Sequence, residues 1–467
     1  MAGFLYHRRR LGVSYALEYL LLVVSRVVAM RKQTTTSTDE PPAAPGPRMP
    51  AEFQPLSRKN FADPYAYYKM LRDDYPVYYE EKAGFYIISR YQDICDLVKD
   101  SELMSSKLVE ILATGKPKDL RKRSRSAIEV LGDWGVIPVD VLALHDPPVH
   151  TEERKIGHRG FNAKLIKALE PDVALLCDEM MNDFLPRGQV EFIQDFAWRL
   201  PMRVIIGLLS FPEKDYEQIK RWCVDGIASL SGTATTAESI AIGVSAAQFM
   251  RYLWAQYLGI KAAPDGSFTA LLAREADDPD SVMTDQRAVA TLLQLLIAGS
   301  DSSASSMGSA VRLLAQNPVL ADELRQSPEL IPDFIEEVFR TEAAFQGHFR
   351  ITRKETQLHG VTVPANSRLF MLWASGNRDE RFWQQPDTFD FRRDHLRKHL
   401  TFGHGIHACI GRELARMEIR IVITKLLQRT RSLQIAGDTP YEASIFARTL
   451  LRLPLAFDST GDRAPAP

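Results

Sequence analysis

The sequence predicts a mainly α-helical protein with small β-sheets at one side. Three observations carry that expectation. From about Pro148 to Asn317 almost every segment places apolar residues at helical spacing. Within that stretch, Asp285 to Gln316 holds no proline and could form one helix about 48 Å long. The β-rich runs are short and confined to a few places, one near the start of the folded part and the others toward the C-terminus.

In chain order, Pro64 to Asp74 predicts a helix with Tyr67, Met70 and Leu71 facing inward. Val77 to Glu80 and Phe85 to Ser89, joined around Lys82 and Gly84, predict a hairpin. Tyr91 to Lys99 is helical again. The long segment has a plausible N-cap in Thr284 and a stop in Asn317-Pro318. Leu292, Leu293, Leu295, Leu296 and Ile297 make its centre apolar nearly all round, as expected of a helix through the middle of a protein. Yet that middle continues Ala298-Gly299-Ser300-Asp301-Ser302-Ser303, and polar groups in a buried helix are costly without partners. A second β patch covers Gly360 to Val363 and Arg368 to Leu372, with Pro364-Ala365-Asn366-Ser367 as the turn between them. Leu451 to Phe457 is the last β-like run.

The chain has 467 residues and is 45% hydrophobic, ample for a large core. Lys plus Arg total 58 and Asp plus Glu 59, a balance that gives no reason to expect nucleic acid as a partner. Cys95, Cys177, Cys223 and Cys409 lie far apart, with no CxxC pair, zinc spacing or disulfide pattern, which fits a reducing cytoplasm. The first three read as small buried hydrophobes. Near the N-terminus, basic residues His7 to Arg10 precede an apolar stretch, Leu11 to Met30, broken by Glu18 and Arg26. Its longest clean run, Tyr19 to Ser25, falls short of the roughly 20 residues of a spanning helix. An amphipathic surface segment, or an extension upstream of a true start at Met30 or Met49, accounts for it. Residues 1–54, with Pro, Thr and Ala enriched from Thr34 to Pro50, are expected to form a disordered leader. A single folded domain is expected over 55–458 and a disordered tail over 459–467.

The strongest chemical signal is Phe402-Gly403-His404-Gly405-Ile406-His407-Ala408-Cys409-Ile410-Gly411. Its glycines permit a tight loop in which backbone comes close to a flat ligand. A helix is expected behind Cys409, with Ile410, Leu414, Met417 and Ile421 as its apolar stripe. Amides at a helix start favour thiolate over thiol. A thiolate is the electron-rich axial ligand that promotes O–O cleavage on haem iron. A lone cysteine at a glycine turn would more often be inert, but the whole string closely resembles the haem-binding loop of the cytochrome P450 family.

Other segments share the resemblance in family order. Glu337-Val338-Phe339-Arg340 is similar to the family's ExxR helix, and Asn377-Arg378-Asp379 and Pro386-Asp387-Thr388-Phe389 follow before Cys409. An i,i+3 Glu/Arg pair alone is usually a solvated contact; the resemblance implies a buried pair that locks the core beneath the haem. Asp146-Pro147-Pro148-Val149-His150-Thr151-Glu152-Glu153-Arg154 resembles DPPxHxxxR, with His150 and Arg154 on one helix face. The resemblance implies that these two, with Arg350 and His407, hold the haem propionates, and that Phe402 flanks the ligand loop. Ala298-Gly299-Ser300-Asp301-Ser302 resembles the AGxDT oxygen-activation motif, in which Gly299 lets the helix approach the haem while Asp301 and the neighbouring hydroxyl relay protons. Ser302 stands where threonine is usual, and it lacks the methyl that restrains the rotamer.

The resemblance, which runs from about residue 55 to 458, implies the helix-rich triangular prism of that family. It further implies a haem b cofactor and a monomeric monooxygenase without a stable membrane span, which inserts one atom of O2 into a mostly apolar small molecule. Leu295, Leu296, Ala298, Ala344, Phe345, Gln346, Ile445 and Phe446 are expected to line the substrate pocket, and the Lys107–Leu144 loop to cover it. Gln346 and His348 could hold a polar group or be structural. No flavin or iron–sulfur domain is visible, so a separate ferredoxin or flavodoxin should donate the electrons. Arg392, Arg393, Arg397, Lys398, Arg412, Arg416 and Arg420, joined by Arg154, Lys155 and Arg159, suggest a basic docking face for it. The rival readings are a peroxide-driven or isomerising haem-thiolate enzyme and a non-catalytic haem sensor.

Overall fold

The structure, a computed structural model, describes residues 63–81, 83–107, 141–229, 236–442 and 444–461. The leader expected over 1–54, its apolar stretch, Lys82 and most of the Lys107–Leu144 loop lie outside them. So do the last six residues of the expected tail.

The chain opens with α1 (Tyr65–Asp74), the hairpin β1 (Val77–Glu80) and β2 (Phe85–Ile88), α2 (Tyr91–Lys99) and the short β3 (Met104–Ser105). A long helical region follows: α3 (Val149–Gly160), α4 (Ala163–Phe184), a short strand β4 (Gln189–Glu191), α5 (Arg199–Leu208), α6 (Tyr216–Ala228), α7 (Thr236–Ala262), α8 (Phe268–Ala276) and α9 (Asp285–Gln316). Then come α10 (Pro318–Gln326), α11 (Ile331–Thr341), strands β5 (His348–Thr352), β6 (Thr356–Leu358), β7 (Val361–Val363) and β8 (Arg368–Met371), and the single turn α12 (Trp373–Gly376). The chain closes with α13 (Arg412–Arg429), β9 (Thr430–Ile435) and β10 (Pro454–Ser459).

Helix α9 has the limits its sequence predicts because both ends carry local signals. The Thr284 hydroxyl accepts from the Arg287 N–H at 3.2 Å, satisfying one of the orphan donors of the first turn. At the other end Asn317 leaves helical geometry and its side chain accepts from Leu320 N, so one residue stops α9 and caps α10, with Pro318 at the first position. Val289, Leu292, Leu296, Met307, Val311 and Leu314 are fully enclosed, and α9 packs against α5, α6, α7, α8 and α13. Each such leucine or valine withdraws enough surface from water to contribute about 1.5–3 kcal/mol. The polar middle is accommodated in part by back-bonding: Ser300 and Ser302 donate to the Leu296 and Ala298 carbonyls at 3.1 and 2.8 Å.

The main sheet runs β1-β2-β8-β5-β3, with β2 and β8 parallel and the other pairs antiparallel. The Pro364–Ser367 turn does not close a hairpin between its flanking strands, because β7 pairs with β6 in a separate two-stranded sheet. Asn366, at φ 63°, redirects the chain, and its N–H donates to the Thr352 carbonyl at 2.7 Å. The last strand also lies later than its sequence suggests. Its pairing starts at Pro454, opposite Glu191, a position where a missing N–H is tolerated. Ser459 closes it, and Thr460 N–H donates to the Arg429 carbonyl, so the tail expected from Ser459 is ordered through these residues.

On α13, Glu418 is 1% exposed and accepts a hydrogen bond from Ser303 of α9. Burial pushes its carboxyl from 4.5 to about 8. Between those values the folded chain keeps a proton that the unfolded chain releases, so this group's contribution to stability declines as pH rises toward about 8. The Glu418→Gln variant, which needs no proton, is expected to lose less stability than the wild type between about pH 6 and about pH 9. Denaturant titrations across that range check this; parallel losses would contradict it.

Candidate active site

The loop from Phe402 to Gly411 turns back on itself before α13. Cys409 N–H donates to the Phe402 carbonyl at 2.7 Å. Gly405, at φ 72°, lies so close to α2 that a Cβ there would sit 2.8 Å from the Val98 carbonyl oxygen, so only glycine fits. Phe402 packs edge-on against Phe339 of α11 at 4.7 Å, with the Arg416 guanidinium 4.9 Å above its ring. Cys409 is exposed at this surface, unlike the enclosed Cys95, Cys177 and Cys223. The protein around it desolvates the sulfur and pushes its thiol up. The Gly411 N–H, Arg154, Arg412 and Arg416 pull in the opposite direction and favour the thiolate. The stripe of α13 faces inward through Leu414, Met417 and Ile421.

A cluster of nitrogen donors faces the same region. His150 is 2% exposed, and neither of its ring nitrogens has a hydrogen-bond partner among the described residues. Burial, then the charge of Arg154, holds its pKa down at about 4. The His407 ring centre lies 4.1 Å from that of His150, with Nε2 3.0 Å from Ser106 Oγ. Burial and Arg350 hold His407 down at about 2. Arg350 is buried on β5, its Nη1 donating to the Phe349 carbonyl, and no carboxylate of the described residues forms an ion pair with it. Arg154 reaches across to the Ala408 carbonyl. Buried donors left unpaired are expensive. The orphaned His150 and the unpaired Arg350 beside a lone ligand-type sulfur fit a cofactor that carries carboxylates and a metal able to take a sulfur ligand. The residues present therefore fit haem.

Beneath this region Glu337 and Arg340 are fully buried on α11 and bonded in the bidentate manner, both oxygens at 2.7 Å. Arg340 also donates to the carbonyls of Asn377, Pro386 and Thr388 at 2.8, 2.8 and 3.2 Å. Arg393 completes the group, with Nε 3.2 Å from Glu337 Oε1. It therefore leaves the basic face expected from sequence. Most of that face is neutralised: Arg416 pairs with Glu336 and Glu413, Arg420 with Glu170, Arg412 with Glu413, Arg159 with Glu275 and Lys155 with Glu152. Arg392 pairs with Glu323. Arg397 and Lys398 remain exposed, without an ion pair among the described residues. A hollow between α4, α11 and α13 has Arg397, Glu413, Arg416 and Arg420 among its lining residues.

On α9 the open face carries Leu295, Ala298, Gly299 and Ser302, spaced as one helix face requires. Opposing side chains include Phe345 and Phe446, ring centres 4.8 Å apart, with His348 5.1 Å from Phe446. Ile445 is half-buried and packs beside Phe349 and Phe370. Three residues expected in the pocket wall are not on it. Leu296 is 0% exposed, turned into the core by the 100° step from Leu295. Ala344 is 3% exposed, its carbonyl accepting from Arg448 N–H. Gln346 is 2% exposed, and its amide bonds to the Tyr68 hydroxyl and the Ala343 carbonyl. Nor is His348 a free imidazole, since its Nδ1 accepts from Trp373 Nε1 at 2.8 Å.

Asp301 is 2% exposed, turned away from the open face and hydrogen-bonded by Thr449. Burial pushes its carboxyl up to about 7, the Glu442 charge adds to this, and the Thr449 hydroxyl acts against it. Sequence reasoning missed Thr449, Ser106 and the inward turn of Arg393; nothing local to any of the three signals its partner.

Among the described residues no helix is long and apolar enough to cross a membrane. A family model described as Cytochrome P450 matches residues 261–443. Cytochrome P450 144 of Mycobacterium tuberculosis is 32% identical over 399 residues, 84% of this chain and 89% of that protein. The steroid C26-monooxygenase of Mycobacterium tuberculosis is 28% identical over 396 residues, 84% of this chain and 93% of that protein. Among solved structures, cytochrome P450 CREJ in complex with (4-ethylphenyl) dihydrogen phosphate superposes with a TM-score of 0.79 at 27% identity, covering 87% of this chain and 99% of that one.

Proposed function

Because this chain belongs to the cytochrome P450 family, the haem-thiolate monooxygenases that carry haem b, we propose that it inserts one atom of O2 into a mostly apolar small molecule with electrons from a separate ferredoxin or flavodoxin. Substrate, dioxygen, two electrons and two protons give the hydroxylated product and water. Haem, when bound, supplies the redox-active iron at which that exchange occurs.

The chain's own residues bind, orient and deliver protons. Cys409 is the thiolate ligand. His150, Arg154, Arg350 and His407 hold the cofactor's carboxylates by charge-assisted hydrogen bonds. Leu295, Ala298, Phe345, Ile445 and Phe446 hold an apolar substrate by surface burial. Gly299 keeps the helix face low, and Ser302 Oγ sits beside it as a hydroxyl that can pass a proton. Asp301 supplies protons. The observation that supports this reading over a peroxide-driven or isomerising one is a buried carboxyl, Asp301, in the middle of α9, held by the Thr449 hydroxyl and one residue along the chain from Ser302. A reaction fed by peroxide has no net demand for protons from solvent, because peroxide carries the two that leave as water. For the electron donor, Arg397, which lines the hollow near α13, and its exposed neighbour Lys398 are charges without an ion pair among the described residues that an acidic protein would meet.

The test is turnover of apolar compounds that bind the protein, with a surrogate ferredoxin and its reductase under oxygen-18 gas. One heavy oxygen per product molecule, dependent on the reductase, is the expected result. Product formed without reducing equivalents, or without label, would contradict the proposal.

A further inference from the structure

The Asp301 carboxylate has one hydrogen-bonding residue around it among those described. Thr449 Oγ1 lies 3.2 Å from Oδ2 and 3.4 Å from Oδ1. Thr449 itself is 4% exposed and accepts from Ser305 Oγ at 3.2 Å. A hydroxyl has one proton. With its acceptor side taken by Ser305, that proton is left for the Asp301 carboxylate. Among the described residues no lysine or arginine pairs with Asp301; Glu442 on the same loop and Cys223 of α6 are titratable groups that sense its charge. Thr449 thus stands where a cation would otherwise hold a buried carboxylate.

Its position is fixed. Thr449 belongs to the connection between β9 and β10, and this connection is bonded to the segment after α11. Phe345 bridges Ala447, Gln346 N–H donates to the Phe446 carbonyl at 2.7 Å, and Arg448 N–H donates to the Ala344 carbonyl at 2.8 Å. Glu442 N–H closes the loop on the Thr449 carbonyl at 2.9 Å. One rigid loop therefore presents the aromatic wall through Phe446 and the hydroxyl partner of Asp301 through Thr449.

We propose that Thr449 is a positioning residue for proton delivery, its hydroxyl orienting the Asp301 carboxyl and setting how readily that group releases its proton. The inference rests on the reading of Asp301 as the proton source. A hydroxyl donated to a carboxylate favours the charged form, so its loss makes the proton harder to release.

The experiment compares the pH profile of dioxygen-driven turnover in the wild type, Thr449→Val, Thr449→Ser and Asp301→Asn, each as haem-loaded protein, with hydrogen-peroxide-driven turnover measured in parallel. Valine keeps the shape and removes the hydroxyl. The expected result is an alkaline limb displaced upward by about one pH unit, tenfold in proton concentration, in the valine variant. The serine variant should keep the wild-type profile, and the peroxide-driven profiles should coincide. A valine profile that superposes on the wild type overturns the inference, as does an equal displacement in the serine variant or in the peroxide-driven reaction. If Asp301→Asn leaves the limb intact, the reading of Asp301 fails and takes the inference with it. If that variant removes the limb while Thr449→Val does not move it, the inference alone fails.

Discussion

Arg340→Ala is expected to leave a chain destabilised by about 3–5 kcal/mol and unable to retain haem. Arg340 and Glu337 are both 0% exposed in their side chains. The guanidinium makes two bonds to Glu337 and three to the carbonyls of Asn377, Pro386 and Thr388. Those carbonyls belong to the segment that returns the chain toward Phe402, so the pair ties α11 to the approach of the ligand loop. Removing the arginine strands a buried carboxylate that then has, among the described residues, Arg393 at 3.2 Å and the Asp390 N–H at 2.9 Å. Lysine would not restore the site, since one ammonium cannot reach five acceptor positions laid out for a planar fork. Denaturant unfolding and haem content of purified Arg340→Ala and Arg340→Lys check this. A wild-type midpoint in either variant would contradict it.

The second large effect is on chemistry rather than folding. Asp301→Asn is expected to lower dioxygen-driven turnover by about 10²-fold, the lower range for a lost general acid. Asparagine keeps the shape and can still accept from Thr449 Oγ1, but it carries no exchangeable acid proton. Asp301 titrates near 7: below that pH it holds a proton to give, and above it the carboxylate is ionised. The wild-type rate should therefore fall as pH rises through about 7, and the variant should lack that limb. Substrate binding, read as a spectral shift, should be unchanged. A variant that turns over at the wild-type rate would remove Asp301 from the mechanism.

Much of the fold was legible wherever the signal is local. Thr284 and Asn317-Pro318 mark the ends of α9 because capping is decided within four residues of each end. The Cys409 loop is legible because glycine geometry, sulfur and a following helix lie in one short string. Glu337 and Arg340 are visible as an i,i+3 pair, although nothing local says that they are buried. What sequence reading missed depends on partners far along the chain. Thr449 meets Asp301 only because the β9–β10 connection folds back across α9. Arg393 resembles its basic neighbours until Glu337 is seen to draw it inward. Leu295 and Leu296 are the same residue type one helical step apart, and only the packing of α9 decides which meets a ligand. Likewise β7 and β8 flank one turn yet join different sheets, because β8 finds β2 and β5 on either side.

The central claim, that Cys409 is the thiolate ligand of a bound haem, is tested most directly by a reduced-plus-carbon-monoxide difference spectrum of the purified protein beside Cys409→Ala. A strongly red-shifted Soret band in the wild type, absent from the variant, is the predicted result. No such band in fully haem-loaded wild-type protein, or the same band in both, would mean that Cys409 does not ligate the iron.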